Sequence, residues 1–192
     1  MQANISYMEL RVTTQQILKV LEVLSWIIFT GLCIDAGAIV VNTVITLFIN
    51  PNAVEYFWTE PAYLSNLYDL DKGHFVAVTL VMTIVAVLKA IMFYLILCLM
   101  VERKLDLTQP FKQEIRRFIS LLAYFATAIG LFSYYGYRYC LWLTKMGIEM
   151  GDLQALHVSG ADVWLFMAVI LFLIGQIVKR GIEIQAENEL TI

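Results

Sequence analysis

Four apolar stretches, at about residues 21–49, 75–101, 117–144 and 161–179, set the terms on which this chain can fold. Each is near or above the roughly 20 residues a helix needs to cross a hydrocarbon core about 30 Å thick. The longer ones allow for tilt or for extension into the headgroups. A soluble core has no room for them: the chain is 60% hydrophobic and only 15% charged, against about 45–50% and 25% in soluble domains. Barrel strands are short and alternate apolar with polar residues, and these stretches do not. In lipid a helix satisfies its own backbone polar groups. The expectation is an all-α integral membrane four-helix bundle, a single membrane domain over residues 1–192.

Basic residues in short loops set orientation. Arg11 and Lys19 precede the first stretch; Arg103, Lys104, Lys112, Arg116 and Arg117 lie between the second and third; Lys179 and Arg180 follow the fourth. The alternate loops, about 50–74 and 145–160, carry only Lys72 and Lys145. Both termini are therefore expected in the cytoplasm, with the chain multi-pass in a cytoplasmic membrane. Trp58, Trp142 and Trp164, with Tyr56 and Tyr63, then fall near the outer interface, and Trp26 near the inner one. Residues 1–20 lack the short apolar region and small-residue cleavage site of a leader peptide. Cys33, Cys98 and Cys140 fall inside spans at different depths and read as small buried hydrophobes.

Thr13 or Thr14 can cap a helix that runs into the first span. The first outer loop, with Pro51, Pro61 and many aromatic residues, suits an interfacial turn or short helix. In the inner loop VERKLDLTQPFKQEIRRF, Thr108 can cap the third helix and Pro110 suits its first turn, where no amide hydrogen bond is lost. Phe111 can dip into the interface while Arg116 and Arg117 anchor in headgroups. These cations enforce orientation or bind anionic lipid or an acidic partner. The last stretch, IVKRGIEIQAENELTI, continues as a helix into water, and Glu183, Glu187 and Glu189 can attract the basic loop.

Asp35, Lys89 and Arg138 are ionisable residues within spans, where charge is costly. Counted from the outer ends, Asp35 and Lys89 are each roughly 21 Å deep at about 1.5 Å per residue. They lie on adjacent helices of a hairpin, the geometry of an ion pair. Arg138 is higher, and can snorkel outward, pair with Asp162 or reach towards Asp35. Small and polar residues mark close packing in membranes. Gly31, Asp35, Ala38, Asn42 and Thr46 share one face of the first helix; Thr79, Met82, Ala86, Lys89 and Phe93 share one of the second. Gly130, Ser133 or Tyr134, and Tyr137 line the third, and Gln176 is the polar contribution of the fourth. Asp35, Lys89, Arg138, Asn42 and Gln176 thus form the candidate buried polar cluster. It can serve bundle register, a ligand or ion cavity, or a proton-linked switch. His74 and His157 fall at outer loop ends, no HExxH or glycine-rich phosphate loop occurs, and no catalytic residue, metal ligand or cofactor is assigned.

LDLTQPFKQEIRRF and IVKRGIEIQAENELTI resemble signatures of the bacterial membrane family called domain of unknown function 2975. GLCIDAGA is similar to the first span of its members from Bacteroidetes-type bacteria. The resemblance covers nearly the whole chain and implies four spans, a Pro-Phe motif opening the third helix and a bacterial inner-membrane location. It carries no activity. Members are often encoded beside a small helix-turn-helix transcription regulator, which implies a membrane component that senses a signal or sequesters that regulator, with no direct contact to nucleic acid. The matching positions are Pro110 and Phe111, then Arg180, Gly181, Glu183, Gln185, Glu187, Asn188, Leu190 and Thr191; the docking candidates are Pro110, Phe111, Arg116, Arg117, Arg180, Glu183, Glu187 and Asn188. Two other readings stay open: an oligomeric transporter or channel subunit, and a structural or lipid-interacting membrane protein.

Overall fold

A computed structural model describes residues 14–101, 112–149 and 151–189. Its elements are α1 (Thr14–Phe48), a 3₁₀ helix (Pro51–Tyr56), α2 (Pro61–Leu70), α3 (Lys72–Val101), α4 (Gln113–Lys145) and α5 (Ala161–Glu189). α1, α3, α4 and α5 are each long and apolar enough to cross a membrane. The protein is an all-α, multi-pass membrane protein.

Neighbours in space are neighbours in the chain: α1 packs on α3, α3 on α4, and α4 on α5. Among the described residues, α1 makes no backbone approach to α4 or α5. The contacts Ser25–Met100 and Phe29–Tyr94 fix an antiparallel register between α1 and α3. Continued along the helices, that register sets Asp35 level with Lys89, as depth counting expects.

α4 turns a stripe of small residues to its neighbours: Ala123, Ala126, Gly130, Ser133, Gly136 and Cys140 are all buried. A Cβ on Gly130 would stand 2.8 Å from the Leu165 side chain and 3.2 Å from its backbone nitrogen. One on Gly136 would stand 2.5 Å from Val158 Cγ1 and 2.9 Å from Val81 Cγ1. These two glycines let α5, α3 and the segment before α5 close on α4. Polar side chains on the long helices mostly turn back on their own backbone: Thr79 Oγ1 donates to Phe75 O at 2.9 Å and Thr127 Oγ1 to Ala123 O at 2.8 Å.

The segment joining α1 to α3 forms a cap. Asn50 accepts from the Asn52 amide at 3.1 Å and Pro51 opens the 3₁₀ helix. Pro61 starts α2, and Asp71 Oδ1 accepts from the Gly73 amide at the start of α3. Phe75 is fully buried beneath this cap, edge-on to Phe57 at 6.0 Å and to Tyr68 at 5.2 Å. Tyr63 is buried in this core. Its hydroxyl lies 3.9 Å from Cys140 Sγ, and burial raises its pKa above the usual phenol range.

α4 starts at Gln113 with Lys112 extended at its N-cap. The expected caps and first turn at Thr13, Thr108 and Pro110 lie outside the described residues, as do Arg11, Arg103 and Lys104. Cys140 is buried as expected, but Cys33 faces outward.

The contacts Gly130–Leu165, Tyr124–Phe172 and Ser120–Gly175 set the antiparallel register of α4 and α5. They place Ala161 beside Tyr134, roughly 16 Å below the end of α4 at 1.5 Å per residue. α5 therefore begins inside the bundle, and residues 151–160 descend to meet it. Irregular backbone at such depth is tolerated only where protein buries it; Leu156 and Val158 are buried. Trp164 accordingly sits within the bundle and not at the rim where its sequence position had put it. From about Glu183 onward, α5 extends past the start of α4.

Candidate functional site

Two successive turns build the descending segment. α4 ends with Ile148 N donating to Leu143 O at 3.4 Å and Gly147 N to Thr144 O at 3.1 Å, with Gly147 at φ 92°. That is a Schellman motif with glycine at its left-handed position. A second follows: Val158 N donates to Leu153 O at 3.0 Å and His157 N to Gln154 O at 3.1 Å. Here the left-handed residue is His157, at φ 59°. Glycine takes this conformation freely; a β-carbon makes it cost about 1 kcal/mol or more.

The turn aims the imidazole at α1. His157 Nε2 stands 3.1 Å from Asp35 Oδ2, with side-chain exposures of 16% and 29%. The approach is at ion-pair distance, and Nε2 is buried. Burial holds the His157 pKa below the ordinary imidazole value. Asp35 opposes this shift and Lys89 adds to it.

Lys89 belongs to the same cluster but not as an ion-pair partner of Asp35. Its Nζ lies 5.8 Å over the Trp164 ring, a cation–π arrangement. No ion-pair contact joins Asp35 to Lys89 among the described residues; the carboxylate has turned to the loop histidine. The cluster thus draws one group from α1, one from α3, one from the descending segment and one from the first turn of α5. An imidazole against a carboxylate can hold a proton between them, and the adjacent ammonium favours the unprotonated ring.

The other expected members lie elsewhere. Asn42 is half-buried and its Nδ2 donates to Tyr56 O at 3.4 Å, tying α1 to the cap. Arg138 is exposed on the outer face of α4, beside the exposed Tyr134 and Tyr137, with no ion pair to Asp35 or Asp162. Gln176 is exposed on α5. Of the docking candidates, Pro110 and Phe111 lie outside the described residues. Arg116 is half-buried, while Arg117 and Asn188 are exposed. Arg180 Nη1 reaches Glu183 at 3.1 Å and Glu187 at 3.9 Å, and Lys179 reaches Glu183 at 3.8 Å. Glu183 and Glu187 thus meet cations of their own helix, while the Glu189 side chain and residues 102–111 of the basic loop lie outside the described residues.

His157 and Trp164 are the members that sequence reasoning missed. The signal for His157 was faint: Leu153 and Val158 bracket a Schellman turn as its hydrophobic pair, but a histidine hides the position where glycine is the usual marker.

Comparison with the curated proteins and with the solved structures found no match. A family model described as a protein of unknown function, DUF2975, matches residues 49–192, which takes in Lys89, His157 and the charged end of α5. The chain belongs to the DUF2975 family.

Proposed function

We propose that this protein is a non-enzymatic regulatory component of the bacterial cytoplasmic membrane. It relays the state of its buried cluster to a cytoplasmic helix-turn-helix transcription regulator. The observation that carries this reading is α5. It is one unbroken helix that starts four residues after His157, sets Trp164 over Lys89 within its first turn, and ends in a charged segment beyond α4. A change in the Asp35–His157 contact acts on one end of this rod, and the rod carries the displacement to the other. The basic residues at that end support its cytoplasmic placement, and the motif Arg180, Glu183, Glu187 and Asn188 lies there.

Co-expression with a candidate cytoplasmic helix-turn-helix regulator tests the proposal. The full-length chain should retain the regulator through purification at low salt, and a chain cut after Arg180 should lose it. If the full-length chain retains none, the reading fails.

The cluster also favours a second reading, an oligomeric transporter or channel subunit with Asp35 and Lys89 on the path. Ion or proton flux in liposomes that Asp35→Asn leaves unchanged removes the cluster from any such path.

A further inference from the structure

At the end of the bundle away from the cap, α4 and α5 carry cations at one level. The register that pairs Ser120 with Gly175 and Tyr124 with Phe172 sets Arg116 beside Lys179. On α5 the charge is compensated in place, Lys179 and Arg180 each meeting Glu183. On α4 it is not: neither Arg116 nor Arg117 has a carboxylate within ion-pair distance among the described residues, and Arg117 is exposed. Beside them runs a groove of about 300 Å³ lined by Gln113, Arg116, Arg117, Ser120, Leu121 and Tyr124. Its lining changes character along the helix. Guanidinium, amide and hydroxyl groups occupy the first two turns, and Leu121 and Tyr124 follow on the apolar side. Tyr124 is held there edge-on to Phe172 at 5.4 Å.

We propose that this groove binds an anionic membrane lipid, with Arg116 and Arg117 on its phosphate, Gln113 and Ser120 on its polar headgroup and Leu121 and Tyr124 against its acyl chain. The charge, the depth and the polar-to-apolar order along the groove select this occupant. Two adjacent guanidiniums present planar donors to phosphate oxygens, at the level where the apolar stretch of α4 begins. The anion found at that level is a lipid phosphate, and the apolar floor continues in the direction its chains run. The inference does not rest on the cytoplasmic regulator, for which Arg116 and Arg117 are also docking candidates: its readout is lipid on α4, not a protein at the end of α5.

The test is lipid retention by the full-length protein in detergent, read by native mass spectrometry and by thermal unfolding. Phosphatidylglycerol and phosphatidylcholine are added in parallel. The wild type should retain phosphatidylglycerol in preference and unfold at higher temperature in its presence. Each of R116Q and R117Q should weaken that retention about fivefold, as expected for roughly one surface charge's attraction to anionic lipid. K145Q, which removes a cation at the opposite end of α4, should leave it unchanged. Should R116Q fail to fold, the exposed R117Q alone decides, because each protein is compared with and without lipid. Equal retention of the two lipids, or retention indifferent to R117Q, overturns the proposal and leaves the arginines with orientation alone. Displacement of the lipid by inorganic phosphate at equal concentration overturns the lipid assignment in favour of a bare phosphate site.

Discussion

His157 Nε2 lies 3.1 Å from Asp35 Oδ2 and so fastens α1 to the segment that leads into α5, two helices whose backbones do not otherwise meet. The two groups form one unit, and a double-mutant cycle should show it. Asp35→Asn and His157→Asn are the suitable changes, since asparagine tolerates the left-handed turn. Their coupling in unfolding free energy should be about 0.5–3 kcal/mol, the range for residues in direct contact. Strict additivity would dissolve the unit.

The burial of His157 makes stability depend on pH. The folded His157 pKa lies below the ordinary value of about 6.5, because burial outweighs the attraction of Asp35 and Lys89 adds repulsion. Below about 6.5 the unfolded chain therefore binds more protons than the folded one. This contribution is complete above that pH and is lost as pH falls towards the folded pKa. Melting temperature measured across this window should decline on acidification in the wild type and be flatter in His157→Asn.

A third expectation concerns close approach on α4. Gly136→Ala puts a methyl between Val158 and Val81, both stiff β-branched side chains. Gly130→Ala meets a flexible Leu165 side chain, though its backbone nitrogen is also near. Both should destabilise the protein in detergent by about 1–3 kcal/mol, with Gly136→Ala the worse. The reverse order would mean that Leu165 yields less than the two valines.

Phe75 and Phe48 separate protein packing from lipid contact. Phe75 is 0% exposed under the cap, whereas Phe48 is 80% exposed at the end of α1. Phe75→Ala should cost about 3–5 kcal/mol, and Phe48→Ala less than about 1 kcal/mol. Thermal unfolding in one detergent compares them directly.

Ser133 gives a prediction of opposite sign. It is fully buried on α4 and its hydroxyl has no hydrogen-bond partner. Ser133→Ala removes a buried, unsatisfied polar group at almost no change in volume, so stability should hold or rise by up to about 1 kcal/mol. A loss of more than that would reveal a partner for the hydroxyl.

The parts of this architecture that depend on a single helix were legible in the sequence. Thr79, Met82 and Ala86 recur at helical spacing and all are buried; Gly130 and Ser133 do the same on α4. Depth counting put Asp35 level with Lys89 because helical rise is constant. Rotation about an axis is less constrained in lipid, where apolar residues surround the helix. Tyr134, Tyr137 and Gln176 therefore face outward although spacing alone allowed them inward. The partner of Asp35 was illegible for a different reason. It depends on how far residues 151–160 descend, which follows from the α4–α5 register, and on a left-handed turn formed by histidine. Neither leaves a periodic trace.

The chain-order packing of α1 on α3, α3 on α4 and α4 on α5 has a consequence for biosynthesis. A chain emerging from its amino end meets, with each new span, a partner already in the membrane. Residues 151–160 arrive after the α1, α3 and α4 surfaces they fill, and α5 comes last. The seam between the first and last helices needs no backbone contact to close it, so helix packing can follow the direction of translation, and only the side chains of Asp35 and Lys89 wait for their partners His157 and Trp164.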